Sequence, residues 1–292
     1  MLFPRPYGDT GIVVSALGLG AGQLGDERLT DADAQALLHA AVDAGVTLID
    51  TAPGYGRSEE RIGRHLGARR ERVVLSTKLG YGVDGVPDWT GACITAGVAQ
   101  ALHRLRTDCI DIAHLHSCPR EVLERGEVVD ALERAKAAGH LRAIAYSGDN
   151  DALDFALESR RFDGLMASLN VCDQGVADRV LPRLGALGFI AKRPSANHPW
   201  RFRDVPVGDY CEAYWHRWQG MATSDDGLPD GERALRFTLS LPGVASAIVG
   251  TTRIAHLLEN IAWAQAGPLS AEMLASLRDA WVRHGAGWRG EV

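Results

Sequence analysis

Short aliphatic runs recur along the chain and alternate with amphipathic stretches. Eight of these runs are predicted strands, over residues 16–20, 46–51, 73–78, 111–116, 142–147, 165–170, 189–193 and 245–250. Parallel strands need crossover connections and must be covered on both faces. Eight such strands between helices therefore predict an α/β fold of the closed (β/α)8, or TIM barrel, class. An open doubly wound sheet is the competing architecture.

Polar positions between the strands mark helix boundaries. Thr30 and Asp33 have the spacing of a capping box, apolar residues follow at helical intervals, and Gly45 ends that helix. Ser58 is expected to cap a helix over residues 59–66. Further helices are predicted over residues 96–105, 122–138, 151–159, 175–187, 231–241, 254–264 and 271–284.

Two segments exceed what a minimal barrel requires. Residues 1–15 contain a turn over residues 8–11, which predicts a short N-terminal hairpin that closes one end of the barrel. Residues 195–230 form a long loop after the seventh strand, rich in Trp, Tyr, Arg and Pro. Loops of that length are often functional. Because no repeat or low-complexity linker interrupts the chain, we expect a single domain over residues 1–292.

Composition narrows the class of protein. A hydrophobic fraction of 46% is ordinary for a globular chain, and a net charge of −6 provides no broad basic face for nucleic acid. No apolar run is long enough to cross a bilayer and no apolar signal segment opens the chain, so we expect no membrane partner and a cytoplasmic protein. The five cysteines lack any CxxC pair, which predicts reduced thiols and no metal site.

Four ionisable side chains lie at or just after the carboxyl ends of successive predicted strands: Asp50, Tyr55, Lys78 and His116. A barrel gathers such positions on one face, where enzymes of this fold build their active sites. Taken singly, each residue has an ordinary interpretation as a turn former, a packing residue, a solvated strand end or a core histidine. We assign His114, two residues before His116, to the opposite strand face with a structural role.

The motifs around these four residues, in this order and spacing, resemble the aldo-keto reductase family. They are LIDTAPGYG at residues 48–56, Ser58 with Glu59, LSTK at residues 75–78 and DIAHLHS at residues 111–117. The similarity extends from GDTG at residues 8–11 to GTT at residues 250–252. The resemblance implies an NAD(P)H-dependent oxidoreductase that interconverts carbonyl compounds (aldehydes, ketones or sugars) and alcohols by hydride transfer.

In the resembled family the tyrosine is the proton donor or acceptor, and the residue types agree with that chemistry. Hydride arriving at a carbonyl carbon leaves negative charge on oxygen, which a positioned acid must protonate. A free tyrosine has a pKa of about 10, and a neighbouring ammonium favours its phenolate. We therefore assign Tyr55 as general acid/base, Lys78 as its tuner and Asp50 as the residue that orients Lys78. His116 is expected to hydrogen-bond the substrate oxygen.

The second half of the chain carries the residues that the resemblance assigns to the cofactor. Ser147 matches a serine that holds the nicotinamide carboxamide, whereas Gly148 and Met166 stand where an asparagine and a glutamine are usual. Arg253 is a candidate for the 2′-phosphate, because a guanidinium binds phosphate in a fork. NADP, with NADPH favoured over NADH, is therefore the expected cofactor. The other candidate cofactor-binding residues are Asn170, Lys192, Arg193, Gly250, Thr251, Thr252, Glu259 and Asn260.

Two other functions fit parts of the sequence. In a different barrel enzyme Lys78 would form a Schiff base with a carbonyl substrate. A catalytically weak regulatory protein that binds the nicotinamide cofactor would account for the departures at Gly148 and Met166. For the favoured reductase, the expected partner is a small carbonyl or alcohol substrate, and the expected state is a monomer or a small homo-oligomer.

Overall fold

Eight parallel strands close into a barrel after a two-stranded hairpin in the computed structural model, which describes residues 2–221, 227–285 and 287–291. The hairpin strands are β1 (Pro4–Pro6) and β2 (Val13–Ser15), and the barrel strands are β3 (Leu17–Gly20), β4 (Leu48–Asp50), β5 (Val74–Leu79), β6 (Ile110–His116), β7 (Leu141–Ser147), β8 (Gly164–Ser168), β9 (Gly188–Lys192) and β10 (Ser246–Val249). They pair in chain order, and β10 closes on β3. The predicted barrel is confirmed, and the open sheet is excluded.

The N-terminal hairpin fills the amino-terminal end of the barrel, as predicted. β1 pairs antiparallel with β2, and Tyr7, Ile12 and Val14 pack among the inward-facing strand residues. The Tyr7 side chain lies over Gly164 and Gly188, where an added Cβ would come within 2.0 Å and 2.3 Å of it. Since glycines are needed for Tyr7 to enter, this end of the barrel is tightly packed.

Helices pack around the outside of the barrel and bury their apolar faces against the strands. They are α1 (Asp31–Asp43), α2 (Ser58–His65), α3 (Gly91–Leu105), α4 (Arg120–Arg125), α5 (Glu127–Ala137), α6 (Asn150–Ser159), α7 (Gly175–Arg179), α8 (Glu212–Met221), α9 (Asp230–Ser240), α10 (Ile254–Gln265) and α11 (Ala271–His284). Thr30 caps α1 as predicted, because its hydroxyl accepts the backbone N–H of Asp33. No helix of the described ranges combines the length and apolarity that a membrane crossing requires.

Four predicted helix boundaries are wrong, and one of them is the start of the helix predicted over residues 96–105, which begins at Gly91. Ser58 lies inside α2 rather than before it, and its hydroxyl donates to the carbonyl of Ala21 at 2.7 Å. The helix predicted over residues 122–138 is split into α4 and α5 at Gly126, whose φ is +79°. The helix predicted over residues 175–187 ends at Arg179, because Pro182 lacks an N–H and clashes with the preceding turn.

The long segment after β9 is partly helical. It contains a short 3-10 turn at Pro199–Arg201 and the helix α8. Just after β9, the non-glycine residues Arg193, Ala196, Asn197 and His198 all have positive φ. Strained backbone of this kind clusters at functional sites, and this segment borders the cavity described next.

Candidate active site

The strand ends bring the four predicted side chains to one rim of the barrel. Asp50 ends β4, Lys78 lies one residue before the end of β5, and His116 ends β6. Tyr55 comes from the loop between β4 and α2. All four line an open cavity of about 640 Å³, a size typical of small-molecule sites.

A buried ion pair between Lys78 and Asp50 lies at the base of the cavity. Lys78 Nζ donates to Asp50 Oδ2 at 2.6 Å and to the carbonyl of Thr51 at 2.8 Å. Burial lowers the pKa of Lys78, but the Asp50 carboxylate and the Tyr55 hydroxyl raise the pKa, and the net shift is upward. The buried lysine is therefore a fixed ammonium.

Tyr55 lies directly against this ammonium. The Nζ of Lys78 is 4.8 Å from the centroid of the Tyr55 ring. The loop that carries Tyr55 approaches the segment after β3 so closely that an added Cβ at Gly25 would lie 1.6 Å from the Tyr55 carbonyl oxygen. Glycine at that position is what allows the loop to hold the phenol over Lys78.

His116 faces Tyr55 across the rim. The two rings meet edge to face with their centroids 5.9 Å apart. Nδ1 of His116 is hydrogen-bonded to the hydroxyl of Tyr81 at 2.7 Å, and the two rings stack. Burial, followed by the charges of Lys78 and Lys192, lowers the pKa of His116 to about 3. The imidazole is therefore neutral near pH 7 and available for hydrogen bonding in the cavity.

The assignment of His114 to the opposite strand face is wrong. Side chains alternate along a strand, so residues two apart share a face, and His114 lies inside the barrel next to β5. Its Nε2 is 3.0 Å from Ser76 Oγ, and Ser76 donates to Asp50 Oδ1 at 2.7 Å. Because the Ser76 hydroxyl donates its proton to Asp50, the Ser76 oxygen accepts the Nε2–H of His114. These two hydrogen bonds, from His114 to Ser76 and from Ser76 to Asp50, hold the Asp50 carboxylate in place.

Ser76 and Tyr81 were not among the predicted site residues. Ser76 is two residues before Lys78, and the alternation of strand side chains is the signal that would have placed it on the same face. Tyr81 lies in the loop after β5, where no regular period applies. Its contact with His116 depends on the loop conformation and leaves no trace in the sequence pattern.

Five of the ten predicted cofactor residues line the same cavity: Ser147, Lys192, Arg193, Gly250 and Asn260. The others lie outside its lining. Asn170 is buried and uses its amide to hold the carbonyl of Arg193 at 3.1 Å and the N–H of Cys172 at 2.8 Å. The remaining four lie around the start of α10, mostly exposed: Thr251, Thr252, Arg253 and Glu259.

Lys192 and Arg193 both have protein partners. Lys192 Nζ pairs with Asp149 Oδ2 at 2.7 Å, and burial lowers the pKa of Lys192. The guanidinium of Arg193 donates to Ser168 Oγ at 2.9 Å and also contacts the hydroxyl of Tyr210 and the carbonyl of Glu291. These two cations are therefore held in place at the cavity wall.

The two departures from the usual amide residues have different surroundings, and the one at Gly148 has a steric cause. An added Cβ at Gly148 would lie 2.2 Å from the hydroxyl of Tyr146, which itself donates to the carbonyl of Cys118. Met166 is fully buried in the barrel interior, where it packs in the apolar layer that contains Ile190. A side chain at 148 is thus excluded, and the side chain at 166 lies below the cavity.

Polar groups at the far side of the cavity suit a ligand with hydrogen-bond donors. Asn260 uses Nδ2 to reach the carbonyl of His256 at 2.7 Å, whereas its buried Oδ1 finds no partner among the described residues. Gly250 follows β10, and an added Cβ there would lie 2.2 Å from Gln23 Oε1. An unsatisfied buried acceptor is costly, so Asn260 Oδ1 is suited to accept a hydrogen bond from a ligand in the cavity.

Comparisons with known proteins agree with this architecture. The model of the Aldo/keto reductase family matches residues 16–156. A D-threo-aldose 1-dehydrogenase from Pseudomonas sp is 31% identical, with 92% of this chain and 95% of that protein covered. An NADH-specific methylglyoxal reductase from Escherichia coli K12 is 28% identical, with 88% and 92% covered. The holo form of an aldo-keto reductase from Bacillus halodurans, 24% identical, shares the fold with a TM-score of 0.85 over 96% of each chain.

Proposed function

Because this chain belongs to the aldo-keto reductase family and is an oxidoreductase, we propose that it interconverts carbonyl compounds and alcohols with a nicotinamide cofactor, using Tyr55 as general acid/base. The observation that carries this proposal is the convergence of Tyr55, Lys78, Asp50 and His116 on one cavity. Each of the four has a separate task in a reaction that places negative charge on a carbonyl oxygen.

Proton transfer is the task of the protein side chains. A bound nicotinamide supplies the hydride to the carbonyl carbon. The Tyr55 hydroxyl protonates the carbonyl oxygen, and the Lys78 ammonium stabilises the phenolate that remains. Asp50 keeps Lys78 charged and oriented through the 2.6 Å contact. Neutral His116 hydrogen-bonds the substrate oxygen and holds it next to the phenol.

The same geometry argues against Lys78 as a Schiff-base nucleophile. A lysine that attacks a carbonyl must present a neutral amine, usually produced by a lowered pKa. Here the pKa of Lys78 is shifted upward, and Nζ is engaged by Asp50 and by the carbonyl of Thr51. The acid/base assignment to Tyr55 uses the ammonium as it stands.

We assign the cofactor to the second half of the rim. Ser147 and Lys192 provide donors near the catalytic residues, and the unsatisfied Oδ1 of Asn260 provides an acceptor at the other end of the cavity. Arg253 is an exposed residue at the N-cap of α10. The guanidinium of Arg253 and the N-terminus of α10 together suit a 2′-phosphate. The proposed preference is therefore for NADPH over NADH, and Arg253 is the residue proposed to determine it.

The proposed substrates are small polar carbonyl compounds, of the aldose or short aldehyde type named for two relatives. Asn197, Arg201, Asp209 and Tyr210 give the cavity a polar wall on the side of the long segment after β9. Hydroxyl-rich substrates have donors and acceptors to match such a wall, whereas an extended apolar substrate would leave these groups without partners.

The cofactor proposal is tested by titrating NADPH and NADH into the protein and following the fluorescence of its seven tryptophans. Aldoses, methylglyoxal and aromatic aldehydes are then screened for oxidation of the reduced cofactor. Arg253→Ala should weaken NADPH binding by roughly tenfold, because charged hydrogen bonds to phosphate are lost, and leave NADH unchanged. Arg283→Ala, an exposed arginine of α11, is the matched control. Equal weakening of both cofactors would reject Arg253.

A further inference from the structure

Tyr81 contacts the active site without having a place in the reaction proposed above. Its hydroxyl is 2.7 Å from His116 Nδ1, and its ring stacks on the imidazole with an interplanar angle of 25° and centroids 5.4 Å apart. Tyr81 thus restrains both the plane of the imidazole and one of its two nitrogens. The other nitrogen, Nε2, belongs to the part of His116 that remains for the cavity.

The hydrogen bond between the Tyr81 hydroxyl and His116 Nδ1 has two conceivable directions. They differ in which of the two groups supplies the proton. A neutral imidazole carries one N–H. If that proton were on Nδ1, it would be donated to Tyr81, and the proton of the phenol would find no acceptor among the described residues. If the imidazole proton is on Nε2, the phenol donates its proton to Nδ1, and the Nε2–H faces the cavity, where a substrate oxygen can accept it. Burial raises the pKa of Tyr81, so the phenol keeps its proton near pH 7.

We propose that Tyr81 is a positioning residue, which fixes His116 in the Nε2–H tautomer and so presents an N–H donor to the substrate oxygen. The proposal rests on the function proposed above, since only a substrate oxygen that gathers negative charge gains from a fixed donor. With the proton on Nδ1, the imidazole would instead turn a lone pair towards that oxygen and repel it.

The loop after β5 is built to hold Tyr81 in this position. Gly80 has φ of +136°, and an added Cβ there would lie 2.1 Å from the ring of Trp89. The backbone N–H of Trp89 donates to the carbonyl of Gly80 at 2.7 Å, and the Trp89 ring meets the Tyr81 ring with the centroids 5.7 Å apart. Asp88 also accepts the N–H of Gly82 at 3.0 Å. Tyr81 is therefore held by Trp89 as well as by His116.

Nitrogen-15 NMR of the imidazole side chains tests the tautomer in the resting protein. The ten histidines are resolved by comparison with a His116→Gln sample, from which the His116 signals are absent. We expect a protonated Nε2 and a hydrogen-bonded, unprotonated Nδ1, and we expect Tyr81→Phe to move the Nδ1 resonance towards the range of a free acceptor nitrogen. A proton on Nδ1 in the wild-type protein, or an Nδ1 unaffected by Tyr81→Phe, would overturn the proposal.

Carbonyl reduction provides the second readout. Tyr81→Phe keeps the stacked ring and should lower kcat/KM by about tenfold, the effect of one well-placed hydrogen bond, without changing the Kd of NADPH. Tyr7→Phe is the matched control, because the Tyr7 hydroxyl at the other end of the barrel has no partner among the described residues. Unchanged kcat/KM in Tyr81→Phe contradicts the positioning role. Absence of any reductase activity would sink the proposed function, while the nitrogen shifts still decide the tautomer.

Discussion

The charge of Lys78 is maintained in a place where water cannot solvate it. Asp50 balances the charge, and the carbonyl of Thr51 takes a second N–H. Ser76 in turn satisfies the other oxygen of Asp50. A buried pair of this kind contributes little net stability, but removing one partner leaves the other unpaired in a medium of low polarity.

Asp50→Asn should therefore lower the free energy of unfolding by about 3 kcal/mol, because it strands the Lys78 ammonium. The double variant Asp50→Asn with Lys78→Met should recover most of this loss and none of the activity. Denaturant unfolding and steady-state kinetics on the same samples measure both quantities. If the two substitutions were simply additive in unfolding free energy, the pair would not be the interaction described here.

Residues at strand ends were predictable from the strand pattern, whereas among loop residues Tyr55 was predicted only through its family motif. Asp50, Lys78 and His116 follow from the order of the strands, since parallel strands end on one rim. Asp149, the partner of Lys192, and Tyr81 are placed by loop conformations that have no period in the sequence. The error over His114 came from misapplying the strand period, which places it on the same face as His116.

At the scale of the elements, the packing of α2 on α3 connects the outside of the barrel to the site. Gly63 of α2 approaches the end of α3 so closely that an added Cβ would lie 2.2 Å from the carbonyl oxygen of Arg104. This approach lets buried Glu59 pair with Arg104 at 2.6 Å and accept the hydroxyl of Thr77 at 2.6 Å. Thr77 precedes Lys78, so α2 helps to hold β5 in register with Asp50.

Gly63→Ala should destabilise the protein by about 1–3 kcal/mol, because the helices must separate to admit the methyl group. Gly220→Ala is the control for helix propensity. Gly220 lies in α8, where no atom of the described residues lies within 4 Å of an added Cβ, so alanine there should leave stability unchanged or raise it by about 0.5 kcal/mol. Equal effects of the two substitutions in denaturant unfolding would contradict the close contact.

The number and order of elements were readable from hydrophobic periodicity, but several helix ends were not. Pro182 and Gly126 interrupt helices that an apolar pattern continues through, and both signals are visible in the sequence once they are given priority. The position of Ser58 depends on Thr51 and Ala21, which reach its hydroxyl from other parts of the chain. Such contacts arise from tertiary structure and override local capping rules.

At the scale of the whole molecule, the carboxyl-terminal segment packs across the ends of β7 to β9. Gly290 exchanges two hydrogen bonds with Asn150, and Arg217 donates to the carboxylate of Glu291 at 2.6 Å. Asp173 lies beneath this segment. Burial and the charge of Asp149 raise the pKa of Asp173 to about 7, although Arg217 acts in the opposite direction.

Asp173 makes the stability of the molecule depend on pH. Its pKa is about 7 in the folded chain and 3.8 in the unfolded reference. The unfolded chain therefore releases this proton first, and the stabilisation present below pH 3.8 is lost as pH rises through about 7. Asp173→Asn removes this dependence, so its unfolding free energy relative to the wild type should increase by on the order of 2 kcal/mol between pH 5 and pH 8.

Thermal unfolding at the two pH values measures this difference. The exposed Asp204→Asn controls for the loss of a surface carboxylate. A constant difference between Asp173→Asn and the wild type across this range would show that Asp173 is ionised in the folded chain.

The barrel itself was predictable at this scale from eight buried runs, whereas the path of the terminal segment was not, because it depends on side chains such as Asn150 and Arg217.

In the proposed reaction Tyr55 moves the proton while other residues bind the cofactor. The most direct test compares Tyr55→Phe with the wild type in carbonyl reduction and in cofactor titration, with Tyr7→Phe as the control. Loss of the hydroxyl should reduce kcat by roughly 10²–10⁴-fold, the usual contribution of a general acid, and leave the Kd of the reduced cofactor unchanged. Retained turnover in Tyr55→Phe, or an equal loss of turnover and cofactor binding, would contradict the account.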